Sequence, residues 1–143
     1  MKLATIGYEQ QTLPDVIARL KKARVDLVVD VRAVAASRRP GFSKSMLAAS
    51  LAEHGIDYVH LRALGTPKEG RLAARAGRTK DMHKIFERHL QEPEAQLELA
   101  KAEELAKKRR VALLCYEADA AHCHRAIVAD RLRERLDCTI TDL

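Results

Sequence analysis

Short runs of β-branched and other apolar residues alternate along the chain with longer stretches in which apolar residues recur every three or four positions. The short runs are typical of buried strands, and the longer stretches are typical of amphipathic helices. Strands are predicted over residues 2–8, 26–32, 56–61 and 110–116, with a weaker edge strand over 138–143. Helices are predicted over residues 12–23, 43–54, 81–90 and 93–108, and again after Asp119.

Capping residues support these helix boundaries. Thr12, Ser43 and Asp119 are expected to cap the starts of three helices, and Gly55 is expected to end the second helix. Residues 65–80 contain three glycines, a proline and several basic residues, and we expect them to form a loop.

The alternation of strands and helices also predicts the fold class. Parallel strands need crossover connections, so the pattern favours a three-layer α/β/α fold with a mostly parallel sheet of about five strands. The 143 residues are enough for one domain with a core, and we expect a single domain over residues 1–143. Ligands of such sheets bind beyond the carboxyl ends of the strands. The functional site is therefore expected at that edge.

Polar, reactive or glycine residues lie at the ends of four predicted strands. They are Gly7 and Tyr8 after the first strand, Asp30 and Arg32 at the end of the second, Gly65 after the third, and Cys115 and Glu117 at the fourth. Because the carboxyl ends of parallel strands meet at one edge of a sheet, these residues are expected to share one site.

Eleven residues at the end of the fourth strand hold two of the three cysteines and two of the six histidines. An odd number of cysteines without a secretion signal does not form a disulfide framework, so all three are expected to be thiols. Cys123 lies between His122 and His124 and beside Arg125 at a helix start, where positive surroundings favour a thiolate. Cys115 is compatible with a functional thiol and with a small core residue.

No metal and no cofactor are expected at this segment. Cys115, Glu117, His122, Cys123 and His124 are all of ligand type, but the chain has no Cys-x-x-Cys or His-x-x-x-His spacing. Adjacent residues at a helix start also point in different directions, so all five would not bind one ion.

Asp30 and Arg32 lie two positions apart on a strand and therefore face the same side. They are compatible with a structural ion pair, or with a site in which Asp30 accepts a proton and Arg32 binds phosphate or carboxylate. In the second case both would face the helix that follows Cys123. Ser37 and Arg38, in the turn SRRPGF, are compatible with a solvated loop and with an anion-contacting loop.

The chain carries 26 Lys and Arg against 20 Asp and Glu, a formal net charge of +6. This excess favours an anionic small molecule or nucleic acid as partner, and it equally fits a solvated basic surface. The basic run Lys107–Arg110 ends a predicted helix and is expected to be structural, as is Cys138. No apolar run approaches the ~20 residues of a membrane span, and residues 1–10 do not form a secretory signal. A cytoplasmic location without a membrane partner is therefore expected.

Five motifs resemble, in order and spacing, those of the DUF488 family of bacterial and archaeal proteins. They are TIGY (residues 5–8), VDVR (29–32), SRRPGF (37–42), YVHL with LG (58–65), and CYE followed by HCHR (115–125). The resemblance spans nearly the whole chain and implies a compact α/β domain, but it supplies no reaction. The signature residues it implies are Gly7, Tyr8, Asp30, Arg32, Ser37, Arg38, Phe42, Gly65, Cys115, Glu117, His122, Cys123, His124 and Arg125.

The chain departs from the family pattern at two places. Residues 33–36 are AVAA, where family members often have a proline, and Glu9 stands where they often have serine or glycine. The shape of the 33–36 loop and the polarity near Tyr8 are therefore expected to differ in this chain.

The leading functional hypothesis is an enzyme that acts on a phosphorylated or other anionic substrate, such as a nucleotide or nucleic acid, in a cleft at the carboxyl edge. Binding of the anion is assigned to Tyr8, Arg32, Ser37, Arg38 and Arg125. Catalysis is assigned to Asp30, Glu117, Cys123 and His124, with Gly7, Gly65, Cys115 and His122 as further site residues.

Two other functions fit the same residues. One is a non-catalytic module that binds nucleic acid or protein, in which the arginines of residues 65–80 would matter most. The other is rhodanese-like sulfur or phosphoryl transfer through Cys115. The loop after Cys115 contains no glycine, whereas a rhodanese loop wraps its cysteine in small residues whose amides form a cradle.

Overall fold

The computed structural model describes residues 1–143 and contains one sheet of five parallel strands. The strands are β1 (Lys2–Gly7), β2 (Leu27–Asp30), β3 (Asp57–His60), β4 (Val111–Cys115) and β5 (Thr139–Asp142). Their order across the sheet is β3-β2-β4-β1-β5, so β5 is the edge strand that the sequence predicts. The last strand of the chain thus pairs with the first.

The chain has six α-helices. They are α1 (Leu13–Lys22), α2 (Lys44–Ala52), α3 (Lys68–Arg75), α4 (Thr79–Leu90), α5 (Pro93–Lys108) and α6 (Arg125–Leu136), with short 3-10 turns at Arg62–Leu64 and Ala120–His122. Five of the helices cover the two faces of this sheet, and α3 packs on α4. One apolar core lies between the sheet and α1 with α2, and a larger one lies between the sheet and α4, α5 and α6. The predicted three-layer α/β/α fold is confirmed.

Strand β2 shows how the two cores form. All four of its residues are buried, because β2 lies inside the sheet and helices cover both of its faces. Val28 packs toward α1 and α2, whereas Val29 and Val31 pack toward the α4–α6 side. Successive side chains along the strand face opposite sides of the sheet. The same alternation determines which helix layer the residues just after β2 face.

The loop prediction for residues 65–80 is wrong over Lys68–Arg75, which form α3. Gly70 lies in the middle of this helix and is buried against Thr66 and Ile85. A Cβ at position 70 would overlap the methyl group of Thr66, so this glycine permits close packing rather than ending the helix. Helix α4 then begins at Thr79, two residues earlier than predicted.

Asp119 is a cap, but not of the last helix. Its carboxylate accepts a hydrogen bond from the Ala121 amide at 2.9 Å and so begins the 3-10 turn Ala120–His122. Helix α6 begins only at Arg125. Cys123 therefore precedes the helix instead of lying in its first turn.

The helices are too short or too polar to cross a bilayer: none combines the length and the apolar character that a membrane span requires.

Candidate functional site

A cleft of about 640 Å³ opens beyond the carboxyl ends of β1, β2 and β4. Its floor is made by the segment that follows β4, including Cys115, Glu117 and Cys123. Its walls are made by residues of the 33–38 loop and by α3 with Met82 of α4. The site expected from the strand ends is thus a real concavity at the carboxyl edge of the sheet.

Nine of the predicted site residues line this cleft, namely Tyr8, Arg32, Ser37, Arg38, Cys115, Glu117, His122, Cys123 and His124. The other four, Gly7, Asp30, Gly65 and Arg125, are buried and do not line it. These four act on the site through the residues that they contact.

Asp30 and Arg32 form a buried ion pair. Arg32 Nη2 lies 2.7 Å from Asp30 Oδ2, and Arg32 Nε lies 2.9 Å from Oδ1. Tyr58 donates its hydroxyl to the same carboxylate, and Arg32 Nη1 donates to the Phe42 carbonyl oxygen at 2.7 Å. Although burial alone lowers it, the pKa of Arg32 is raised because of the hydrogen bond and the charge of Asp30. These groups hold each other in place. Of the two alternatives that the sequence allows for Asp30 and Arg32, the contacts fit the structural ion pair.

This ion pair faces the α1 and α2 layer rather than the segment that contains Cys123, contrary to the expectation. Arg32 Nη1 also donates to the Tyr8 hydroxyl at 3.0 Å, and the Tyr8 ring stacks on Phe42 with centroids 4.3 Å apart. Cys123 belongs to the opposite core, between the sheet and α4–α6. The strand end of β2 therefore anchors the α2 side of the cleft.

Cys115 and Cys123 meet at the floor of the cleft. Their sulfur atoms are joined in a disulfide, so the expectation of three thiols is wrong for this pair. Both residues are buried, although both line the cleft. Cys138, the remaining thiol, is buried at the amino edge of the sheet, next to β5.

Arg125 lies directly behind this pair and is fully buried. The sequence predicts that it binds an anion in the cleft, but it does not line the cleft. Its Nη1 donates to Cys115 Sγ at 3.0 Å and to the Glu117 carbonyl oxygen, and its Nη2 donates to the Ala118 carbonyl oxygen at 3.1 Å. It forms no ion pair, and its Nε has no hydrogen-bond partner. Burial lowers the pKa of Arg125. Arg125 therefore holds the loop after β4 in place.

Two glycines allow backbone segments to approach each other at this edge. A Cβ on Gly7 would overlap the Glu117 carbonyl oxygen and press against Arg125 Nη1 at 3.0 Å. A Cβ on Gly65 would overlap the backbone of Ala33. Both glycines thus serve the shape of the site rather than its chemistry.

The two histidines beside Cys123 have different surroundings. His124 is buried, and its Nε2 contacts the Val31 carbonyl oxygen at 2.7 Å. Burial lowers the pKa of His124 to about 4, so the ring is neutral near pH 7 with its proton on Nε2. His122 is exposed, and its Nδ1 lies 3.2 Å from Thr79 Oγ1.

Three arginines on the cleft walls carry positive charge without a carboxylate partner. Arg71 and Arg75 lie one turn apart on α3, and Arg38 lies in the loop of residues 33–38. Arg71 Nη1 is oriented by the Thr66 carbonyl oxygen at 2.9 Å. The leading hypothesis from the sequence includes Arg38 as a site residue, whereas Arg71 and Arg75 enter only through the alternative of a binding module. Their spacing of four, which puts them on one helix face, was the available signal.

Two carboxylates complete the cleft. Burial raises the pKa of Glu117, whose Oε2 lies 3.5 Å from Cys115 Sγ. Glu9, a departure from the family pattern that was not predicted as a site residue, lines the cleft and accepts a hydrogen bond from the Ala118 amide at 3.1 Å. Both acidic groups are close to the floor, whereas the unpaired arginines are on the walls.

Fold and site together define a three-layer α/β protein with an arginine-walled cleft at the carboxyl edge of its sheet. The family model described as "Domain of unknown function DUF488" matches residues 12–132. The match covers most of the chain, and the chain belongs to the DUF488 family, as the motifs predict. No curated protein and no solved structure matches the chain.

Proposed function

We propose that this protein is an enzyme that binds a phosphorylated or other anionic substrate in the cleft. The observation that carries the proposal is the set of three guanidinium groups, from Arg38, Arg71 and Arg75, which line the cleft without a carboxylate partner. A guanidinium presents a planar fork of donors that matches phosphate and carboxylate oxygens. Unpaired groups of this kind, contributed by two separate segments to one cleft, are suited to bind such an anion.

A nucleotide is the member of this substrate class that the cleft suits best. The Tyr116 ring lines the cleft, is 44% exposed and packs edge-on against Tyr8. An exposed aromatic ring held by a second ring offers a face on which a base can stack. Phosphate contacts from arginine and stacking from tyrosine would then act on different parts of one substrate.

The reacting part of the substrate is assigned to the floor of the cleft. Glu117 is the candidate proton-handling group, because burial raises its pKa toward neutrality and its side chain lines the cleft. Asp30, in contrast, has both oxygens occupied by Arg32 and Tyr58, and we assign it to positioning. Arg32 and Arg125 are likewise assigned to positioning.

The rhodanese-like alternative receives no support from the loop after Cys115. The amides of Ala121, His122 and Cys123 donate to the Asp119 carboxylate, the Asp119 carbonyl oxygen and the Ala120 carbonyl oxygen. These amides point into their own turn, so they do not form an anion cradle around a sulfur atom.

The anion-binding part is tested by calorimetric titration of the purified protein with inorganic pyrophosphate at low salt. We expect binding that weakens as salt is added, because the arginines are at the surface of the cleft. Replacing both Arg71 and Arg75 by Ala should weaken binding at least about tenfold, since hydrogen bonds to charged groups are strong. Arg88→Ala is the control for the single Arg75→Ala variant, because Arg88 is exposed and unpaired, like Arg75, but does not line the cleft.

The enzymatic part is tested with the Glu117→Gln variant. Release of inorganic phosphate from a panel of nucleotides and sugar phosphates is measured for the wild type and the variant. Turnover that is lost in Glu117→Gln while pyrophosphate still binds supports an enzyme. Binding without any turnover by the wild type supports the non-catalytic module, and no pyrophosphate binding at low salt contradicts the proposal altogether.

A further inference from the structure

The floor of the cleft brings together three side chains of metal-ligand type. Cys115 Sγ, Cys123 Sγ and a carboxylate oxygen of Glu117 all lie within 4.8 Å of one another. We propose that the reduced protein binds one thiophilic divalent ion, of the Zn²⁺ class, through these three side chains. The inference goes beyond anion binding and does not depend on it, because it uses the floor of the cleft and not its arginine walls. It concerns the reduced form, in which Glu117 is a ligand, whereas the proton-handling role proposed for Glu117 belongs to the disulfide-bonded form.

The backbone separation of the two cysteines is the first argument. Their Cα atoms are 7.5 Å apart. Disulfides usually join residues whose Cα atoms are about 4.4–6.8 Å apart, so this backbone is wider than a disulfide prefers. An ion between two thiolates adds two bonds of about 2.3 Å each and bridges a wider gap. The backbone therefore suits two thiolates that share an ion.

Charge balance around Arg125 is the second argument. This guanidinium is fully buried and has no carboxylate partner, and the group nearest to its Nη1 with the ability to carry a negative charge is Cys115 Sγ, at 3.0 Å. A disulfide sulfur carries no charge, so Arg125 donates to a neutral atom, and the carboxylates that act on it, Asp142, Glu117 and Asp119, form no ion pair with it. A thiolate would give this buried guanidinium a charged acceptor, and charge-assisted hydrogen bonds are the stronger ones. The two charges that the thiolates add are balanced by the divalent ion.

Hydrogen bonds to the sulfur atoms are the third argument. Arg125 donates from Nη1 to Cys115 Sγ and from its backbone amide to Cys123 Sγ, the latter at 3.5 Å. Metal ligands in proteins are usually oriented by such a second layer of hydrogen bonds. One residue therefore positions both sulfur atoms, Cys123 Sγ through its backbone amide and Cys115 Sγ through its guanidinium.

Three protein ligands leave one position of a tetrahedral ion free. Catalytic zinc sites use three protein ligands in this way, whereas structural zinc sites use four. Because all three residues line the cleft, the free position would be open to the cleft. The site thus resembles the catalytic arrangement more than the structural one, and it revises the expectation that this segment holds no metal.

Metal binding requires that the disulfide be reduced first. A phosphine reductant supplies the two electrons, takes up the oxygen of one water molecule and leaves as phosphine oxide, while the two sulfur atoms become thiols. Binding of the divalent ion to the two sulfur atoms then releases two protons. The disulfide and the ion exclude each other, so oxidation of the protein should abolish binding.

The test uses the full-length protein, freed of metal with a chelator, reduced with a phosphine and titrated with Co²⁺. We expect one Co²⁺ per chain, a near-ultraviolet absorption band from thiolate-to-cobalt charge transfer, and loss of that band when Zn²⁺ displaces the cobalt. The Cys115→Ser and Cys123→Ser variants should lose the band, and Glu117→Gln should bind at least about tenfold more weakly. Cys138→Ser is the matched control and should keep the band, because Cys138 lies at the amino edge.

Several outcomes would overturn the inference. They are the absence of saturable binding by the reduced wild type, a band that survives in both Cys115→Ser and Cys123→Ser, and a band lost equally in Cys138→Ser. Because the decisive titration is made on the wild type, a variant that fails to fold does not remove the test. No anion is present, so this result and the pyrophosphate result can fail independently.

Discussion

The ends of β2 and β4 each hold a buried arginine, but the two arginines have different partners. At the end of β2, Arg32 meets the carboxylate of Asp30, and the two charges compensate each other. At the end of β4, Arg125 meets carbonyl oxygens and a cysteine sulfur but no carboxylate. The β2 end thus holds a completed structural ion pair, whereas the β4 end holds a guanidinium without a contacting carboxylate. Only the second end forms the floor of the cleft.

The largest expected effect is at the β2 end. Asp30→Asn leaves the Arg32 guanidinium buried without its counter-charge, which should lower the free energy of unfolding by about 3–5 kcal/mol. The measurement is urea denaturation followed by circular dichroism. A loss below about 1 kcal/mol would show that the fold does not need the ion pair of Asp30 and Arg32. It would contradict the distinction between this strand end and the β4 end.

An intermediate effect is expected at the β4 end. Arg125→Met in the disulfide-bonded protein removes hydrogen bonds to the carbonyl oxygens of Glu117 and Ala118, but it leaves no carboxylate without a partner. We expect the free energy of unfolding to fall by about 1–3 kcal/mol, less than for Asp30→Asn. The same urea titration measures it. A loss equal to that of Asp30→Asn would mean that Arg125 has an anionic partner even when the disulfide is intact.

The smallest effect is expected for an exposed ion pair at the amino edge of the sheet. Arg109 Nη2 lies 2.8 Å from Asp57 Oδ2, and the Asp57 side chain is 67% exposed. Asp57→Asn should change the free energy of unfolding by less than about 1 kcal/mol, because water and salt screen exposed pairs. This variant is also the control for Asp30→Asn, and a comparable loss in both would refute the distinction between buried and exposed pairs.

The strands and most helices could be predicted because their signals are local. The β-branched run before Asp30 gives β2, and the Thr12 side chain accepts the Asp15 amide as a helix cap does. Helix α3 was missed because glycine is a poor helix former, whereas Gly70 is retained for close packing against Thr66. Composition alone does not reveal such a packing requirement.

The sequence was sufficient to locate the candidate site, but not to assign a role to each of its residues. Because the carboxyl ends of parallel strands meet at one edge of the sheet, the sequence predicts that Cys115, Glu117 and Cys123 lie close together. These three residues do line one cleft. Arg125 contacts Cys115 across the nine residues 116–124, and the geometry of this contact depends on a 3-10 turn that local propensity does not indicate. The direction of a buried arginine is set by which carbonyl oxygens the folded loop offers, and this is a tertiary property.

The position of β4 in the sheet has a consequence for how the chain folds. Because β4 lies between β2 and β1, these two early strands do not pair with each other and must wait for residues 111–115. At about 5–20 residues per second, synthesis of the intervening chain takes roughly 5–15 seconds, during which the edges of two apolar strands stay open. Pairings between such distant segments also form slowly. The cleft is therefore among the last parts of the molecule to assemble, and a chain that ends before β4 would carry exposed strand edges prone to aggregation.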